Sequence, residues 1–267
     1  MSAAHKAAPS WRCRASLIAP AIVLLGVLAT VAGGAAPPLA PPEQLEIVLD
    51  TSSSFGLPYR RESLAEIAAA VTGWPRSLPA LGGSASRPGL TVRLRGVSGV
   101  SYSPEDVLGT WRIPSVPAVV PLPTKVTANL TVLLLAYKNQ VAAAKKAERQ
   151  VELKAHRAAK ALEHLQPPTT YASEIEGAVS AAAQSFAAAG ARRLLIVSDL
   201  AQNRHPQIAG SLRNVQVLVM HLCTEAAVCA RQERSWRNRL EARGASQLEF
   251  VRIEQFPSAL KAFLGET

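Results

Sequence analysis

Residues 45–54 (LEIVLDTSSS) join a short apolar run to a cluster of oxygen-bearing side chains. An apolar run of this length before a helical pattern is typical of a buried parallel strand that leads into a loop. In open α/β sheets, ligands bind at the loops that follow the strands. The carboxylate of Asp50 and the hydroxyls of Ser52 and Ser54 are hard oxygen donors, so the segment predicts a site for a cation such as Mg²⁺.

The same residues have a plainer interpretation. Asp and Ser are common at strand-to-helix turns because their side chains cap the next helix, and no metal is needed for that role. The segment contains no thiolate, imidazole or lysine base. It therefore favours holding a cation, or capping a helix, over carrying out a chemical step.

The spacing Asp50-x-Ser52-x-Ser54 resembles the metal-ion-dependent adhesion site of von Willebrand factor A domains. In that family a second loop supplies a Thr, and a third loop supplies an Asp after a central apolar strand. The resemblance implies that Asp199, which follows the apolar run 193–198, is the third-loop ligand. The family usually has Gly after this Asp, whereas this chain has Leu200.

Residues 173–182 resemble the family helix that begins on the metal-binding Thr, and this alignment places Ser173 at the Thr position. Thr169 and Thr170 lie close by in sequence and can serve in its place. Alternatively, Ser173 is the N-cap of the helix and forms a capping box with Glu176. A hydroxyl has two acceptor lone pairs, so the two roles are compatible.

The order of apolar and amphipathic segments predicts an α/β fold, a doubly wound and mostly parallel sheet flanked by helices. Hydrophobic residues make up 48% of the 267-residue chain, enough for one well-buried core. One helix should stop at the sequence Gly73-Trp74-Pro75. Strands are expected near 45–50, 90–97, 193–198, 214–222 and 247–253, a short edge strand at 107–113, and helices near 59–72, 173–189, 225–243 and 257–264.

Residues 114–168 form an insertion in this pattern, consisting of a proline-rich connector and a long helix from about 129 to 165. The helix has a narrow apolar stripe among many Lys, Arg and Glu residues. It is expected either to lie along the surface of the domain or to project as an arm that docks a partner or pairs with itself.

The N-terminus predicts a membrane-targeting segment. Residues 1–14 carry Lys6, Arg12 and Arg14, and residues 15–36 have no charge, which is long enough for a bilayer-spanning helix. The segment 15–36 is either a transmembrane signal anchor or a cleaved signal peptide. The basic flank should stay in the cytoplasm, which places the C-terminal domain in the periplasm or outside the cell. Residues 37–44 form a Pro-rich linker before the domain at 45–267.

Two cysteines follow the predicted strand near 214–222. In an oxidising compartment, Cys223 and Cys229 are expected to form a disulfide that closes a short loop. The nearby His221 does not complete a zinc site, because the local sequence supplies no fourth ligand.

The net charge of +10 narrows the classes of partner. Without Lys6, Arg12 and Arg14, the rest of the chain has 26 basic and 19 acidic residues. Acidic proteins and anionic envelope surfaces are the natural counterparts. Nucleic acid is not expected, since no aromatic residues are interleaved with the basic ones to stack on bases.

The resemblance implies a module that binds a protein partner through a divalent cation, Mg²⁺ or else Mn²⁺ or Ca²⁺, and the predicted segment 15–36 would attach this module to a membrane. A carboxylate of the partner would complete the coordination. The hydroxyls would coordinate directly, and the aspartates largely through water. The implied ligands are Asp50, Ser52, Ser54, Ser173 and Asp199.

Two other functions remain open. The chain is alternatively an envelope scaffold with a vestigial metal site that acts through its long charged helix. A hydrolase is less favoured, because a haloacid-dehalogenase-like phosphatase needs a second Asp where Ser52 stands. The chain also has no G-x-S-x-G nucleophile elbow.

Overall fold

A six-stranded sheet forms the centre of the computed structural model, which describes residues 39–78, 85–99, 101, 103–122, 130–187, 190–202 and 208–265. The strand order is β3-β2-β1-β4-β5-β6. All neighbouring pairs are parallel except β2 and β3, which are antiparallel at one edge. The strands are β1 (Glu43–Leu49), β2 (Leu90–Gly96), β3 (Val107–Ile113), β4 (Arg192–Ser198), β5 (Val215–His221) and β6 (Gln247–Val251).

Helices cover both faces of this sheet, which explains why the central strands are apolar along most of their length. One core lies between the sheet and α1, α2 and α5, and the other lies between the sheet and α3 and α4. This arrangement confirms the predicted α/β class and the mostly parallel sheet. The helices are α1 (Leu57–Ser77), α2 (Leu130–Glu163), α3 (Ile175–Ser185), α4 (Ala226–Glu241) and α5 (Phe256–Phe263).

Alternate residues of the central strands point into different cores. Ile47 and Leu49 of β1 belong to the core beside α1, whereas Val48 belongs to the core beside α3. Strand β1 begins at Glu43, so the last two residues of the predicted linker are part of the sheet.

Helix α1 continues through the sequence Gly73-Trp74-Pro75, which makes the predicted stop there wrong. Proline lacks a backbone N–H and normally interrupts a helix. Here it lies two residues from the helix end. The side chain of Trp74 is fully buried in the core, and this packing holds the last turn in place.

Helix α2 is the predicted long helix, and its C-terminal part lies along α1. The side chains that it buries are mostly alanines, which let two helix backbones come close together. The buried residues are Ala144, Val151, Ala155, Ala158, Ala159 and Leu162.

The predicted membrane segment 15–36 lies outside the described residues. Within the described ranges, no helix is both long enough and apolar enough to cross a bilayer.

A disulfide joins Cys223, just after β5, to Cys229 in α4, with a Cα–Cα distance of 5.7 Å.

We expect the removal of this disulfide in Cys223→Ser/Cys229→Ser to lower the free energy of unfolding by about 2 kcal/mol, because the unfolded chain regains the freedom of a short loop. Guanidinium unfolding of wild type and variant, each with and without reductant, measures this. Reductant should lower the stability of the wild type alone; an effect on both proteins would contradict the assignment.

Candidate functional site

The cluster singled out in the sequence lies at the carboxyl end of the sheet. Asp50 follows β1 and Asp199 follows β4, and these two strands are neighbours. The chain leaves β1 towards β2 on one side and later returns to β4 on the other. Such a reversal of strand order is where open α/β sheets bind their ligands.

Asp50 is completely buried at this reversal point. Its Oδ1 accepts the backbone N–H of Ser52 at 2.8 Å, and its Oδ2 accepts the hydroxyl of Ser198 at 2.6 Å. Burial raises the pKa of the Asp50 carboxyl, and the nearby charge of Asp199 adds to this, although the hydrogen bonds oppose it. A positive charge close to Asp50 would therefore stabilise its ionised form.

The hydroxyl oxygens of Ser52 and Ser54 lie 2.9 Å apart. This distance fits a hydrogen bond. It also fits two adjacent ligands of an octahedral Mg²⁺, which are about 2.9 Å apart when each is about 2.05 Å from the ion. Ser52 is buried and Ser54 is exposed, so the pair connects the buried carboxylate to the surface.

The second loop reaches this cluster through Thr169 and Thr170. The backbone N–H of Ser53 donates to the carbonyl of Thr170 at 3.0 Å, and the N–H of Thr170 donates to the carbonyl of Thr51 at 2.9 Å. The hydroxyl of Thr170 lies 3.2 Å from the carbonyl oxygen of Val97. Thr170 is therefore fixed against the first loop by its backbone, while its hydroxyl is directed towards the loop after β2.

The side chain of Ser173 is also buried. The backbone N–H of the next residue, Glu174, donates to the carbonyl of Ser98 at 3.1 Å. The carboxylate of Glu174 accepts the N–H of Ser101 at 2.8 Å. The structure thus ties the segment around Ser173 to the loop after β2.

The predicted capping box of Ser173 and Glu176 is wrong. The N-cap of α3 is Glu174, and its side chain makes no capping hydrogen bond. Glu176 instead accepts a hydrogen bond from the Gln202 amide at 2.8 Å and pairs with the guanidinium of Arg239. The charged partner on α4 is a stronger attraction for this carboxylate than a backbone N–H.

Asp199 is half-buried, and its Oδ1 accepts the N–H of Ala201 at 2.9 Å. The next residue, Leu200, has a φ of 57°. Glycine adopts this left-handed conformation without steric cost, whereas a leucine is strained in it. Leu200 adopts this conformation with its side chain buried in the core beside α3.

Arg60 belongs to the site but was not identified from the sequence. Its side chain is almost completely buried and reaches from α1 to both loops. Nη2 donates to the carbonyl of Ser52 at 2.7 Å, and Nη1 donates to the hydroxyl of Thr169 at 3.1 Å. Burial lowers the pKa of Arg60, and attraction to Asp50 opposes that shift. The available signal was its position four residues before Leu64, on the apolar face of α1.

The donor set fits a hard cation and no soft one. Among the described residues, no three His, Cys, Asp or Glu side chains come together. A cation at this end of the sheet would be held mainly by hydroxyl oxygens and by the carboxylates of Asp50 and Asp199. Those ligands suit Mg²⁺, Mn²⁺ or Ca²⁺ and not zinc or copper.

Comparisons with known proteins assign no family. No family model and no curated protein matches the chain. Among solved structures, manganese-loaded TRAP protein of Plasmodium vivax is 12% identical, with a TM-score of 0.37, over 84% of this chain and 73% of that one. The human COPII-coat protein Sec24c is also 12% identical, with a TM-score of 0.40, over 85% of this chain and 33% of that one.

A third solved structure is the pilus adhesin SpaC of Lactobacillus rhamnosus GG. It is 10% identical, with a TM-score of 0.37, over 86% of this chain and 30% of that one. This chain therefore spans about a third of the length of Sec24c and SpaC. All three likenesses are too slight to carry an assignment.

Proposed function

We propose that this chain is a von Willebrand factor A-like binding module that captures a protein partner through a divalent cation at the carboxyl end of its sheet. The observation that carries the proposal is the buried carboxylate of Asp50 beside the paired hydroxyls of Ser52 and Ser54. The position of this cluster, where the strand order reverses, supports a ligand site.

In this proposal Asp50, Ser52 and Ser54 hold the cation, and Asp199 contributes from β4. Ser173 and the hydroxyls of Thr169 and Thr170 remain alternatives for the second loop. When bound, Mg²⁺ would supply an open position for a carboxylate oxygen, because it commonly keeps exchangeable water ligands. The residues of this chain hold and orient charge, and the proposed activity is binding without catalysis.

The proposal includes attachment to a membrane through residues 15–36, with the domain on the extracytoplasmic side. The absence of charge from 15–36 and the basic residues before it support this orientation. The disulfide between Cys223 and Cys229 is consistent with an oxidising compartment.

Calorimetric titration of Mg²⁺ and Mn²⁺ into purified residues 39–267 tests the cation site. We expect saturable heat for the wild type and none for Asp50→Ala, because the variant loses the only completely buried carboxylate among the described candidate ligands. Glu62→Ala, which removes an exposed carboxylate from α1, is the control and should behave as wild type. A wild type that releases no saturable heat would contradict the proposal.

A second candidate function is an envelope scaffold in which the cation site is vestigial. The buried guanidinium of Arg60 favours this reading, because it already places a positive charge near Asp50. In that case Asp50→Ala should leave partner capture unchanged. Charge reversal between residues 145 and 160 of α2 should abolish it.

A further inference from the structure

The N-terminal end of α2 exposes large apolar side chains to solvent. Leu130, Val132, Leu134 and Leu135 are 52%, 57%, 38% and 60% exposed. Successive residues of a helix are rotated by about 100°, so these four side chains point to different sides of the helix. Tyr137 and Lys138 follow, and Tyr137 contacts the core only in part.

Apolar side chains on several sides of a helix are not typical of a surface that pairs with one other helix. A helix that pairs with another one needs a single apolar stripe, and its remaining faces are polar. Residues 130–137 (LTVLLLAY) have no charge, and the hydroxyls of Thr131 and Tyr137 are their only polar side-chain groups. A helix end that is apolar on all sides is suited to a surrounding apolar medium.

The sequence before and within this end of α2 carries charge of one sign. From residue 107 to residue 147 the sequence contains no Asp or Glu. The cations in the same stretch are Arg112, Lys125, Lys138, Lys145 and Lys146. An apolar tip bordered by Lys and Tyr and lacking carboxylates is complementary to a bilayer surface with anionic headgroups.

The ion pair between Arg87 and Glu148 (3.3 Å) locates this tip relative to the sheet. Arg87 lies three residues before β2, at the end of the sheet where the parallel strands begin. The loop after α2 reaches the opposite end, at Thr170. The 18 residues of α2 that precede Glu148 have a length of about 27 Å and lead away from the Asp50 end.

The first residues of the domain that the structure describes lie at the same end. The backbone N–H of Ala40 donates to the hydroxyl of Ser86 at 2.7 Å, and the carbonyl of Ala40 accepts the hydroxyl of Ser115 at 3.2 Å. The proline-rich connector continues from Ser115 to Val120, whose N–H donates to the Gln140 side chain on α2 at 3.2 Å. The entry of the chain and the first half of α2 are thus linked through one short segment.

We propose that residues 130–137 of α2 insert into the interfacial layer of a bilayer that contains anionic lipid. Eight helical residues span about 12 Å, which reaches into one leaflet and does not cross the membrane. The insertion gives the domain a second membrane contact beside the linker and turns the Asp50 end away from the surface. This proposal rests on the proposed membrane attachment but not on the cation site.

The test compares two exposed leucines on α2 in the full-length chain. Leu135 and Leu153 are 18 residues apart, which is five helical turns, so they lie on the same face of the helix. Each is replaced by cysteine in a Cys13→Ser background and labelled with an environment-sensitive fluorophore. The protein is reconstituted into vesicles of phosphatidylcholine with phosphatidylglycerol, with and without lipids that carry a nitroxide quencher.

We expect the nitroxide to reduce the fluorescence at position 135 about two-fold or more, and to leave position 153 unchanged. Equal fluorescence at both positions in vesicle-bound protein would overturn the inserted tip while leaving the membrane attachment intact. Protein that does not float with the vesicles would overturn both proposals. Crosslinking between two copies at position 135, with no quenching, would assign the tip to self-association and overturn insertion.

Discussion

Asp50→Asn should keep the cation-free domain folded at least as well as the wild type at neutral pH, and it should abolish the stability that Mg²⁺ adds. The asparagine has the shape of the aspartate but carries no charge into a fully buried position. With Mg²⁺ at a hundred times its dissociation constant, the wild type should gain about 2.7 kcal/mol and the variant nothing. Thermal unfolding of residues 39–267 with Mg²⁺ or with chelator measures both effects.

The stability of the wild type and that of Asp50→Asn should depend differently on pH, because the pKa of Asp50 is raised in the folded protein. An acid whose pKa is higher in the folded state binds its proton more tightly there than in the unfolded chain. Its contribution to stability is therefore present below the unfolded pKa and is lost as the pH rises through the folded pKa. Without cation, the free energy of unfolding of the wild type relative to Asp50→Asn should fall as the pH rises from the unfolded pKa of Asp50 to its folded pKa. The control is Glu62→Gln, at an exposed position, whose free energy of unfolding relative to the wild type should not change over the same pH range. A difference between wild type and Asp50→Asn that does not change with pH would contradict the burial of the Asp50 charge.

Arg60→Met should lower the free energy of unfolding by about 3 kcal/mol, because it removes two hydrogen bonds and a buried positive charge that is attracted to Asp50. Methionine fills much of the same space, so the loss reports the charge and the hydrogen bonds more than a cavity. Urea unfolding of the variant beside Arg61→Met measures it. Arg61 is the exposed neighbour on α1, and its replacement should change stability by less than about 0.5 kcal/mol.

The same variant distinguishes the two candidate functions. If a cation binds at Asp50, it should stabilise Arg60→Met more than the wild type, since the competing positive charge is gone. A variant as stable as the wild type would show that the guanidinium does not hold the loops together. If Mg²⁺ stabilises Arg60→Met and the wild type equally, the guanidinium of Arg60 does not compete with the cation for the charge of Asp50.

The fold was predictable because parallel strands that are covered by helices on both faces have nearly continuous apolar sequences. The runs that became β1, β4 and β5 each end close to the predicted residue. The end of α1 was not predictable, because Pro75 normally breaks a helix, whereas here the buried side chain of Trp74 and a hydrogen bond from Ser77 to its carbonyl stabilise the last turn. The capping of α3 was missed because Glu176 has a charged partner on a distant helix.

The part of the site that is formed by residues close together in the sequence was predictable. Asp50, Ser52 and Ser54 are adjacent in sequence, so their local geometry depends on one turn. Thr170 and Glu174, the residue after Ser173, reach the other loops by long-range backbone hydrogen bonds that the sequence does not reveal. Arg60 was missed because an arginine on a helix is normally solvated, and its burial is decided by the loop that covers it.

Strand β1 begins in the linker and ends directly before Asp50, and this has a mechanical consequence. A force between a captured partner and a tethered linker would pull β1 along its own axis. The strand pairs with β2 over seven residues and with β4 over six. Its hydrogen bonds run across the strand direction, so such a load shears both ladders together and cannot open them one bond at a time. The connection between the two ends of the domain is therefore built to carry tension.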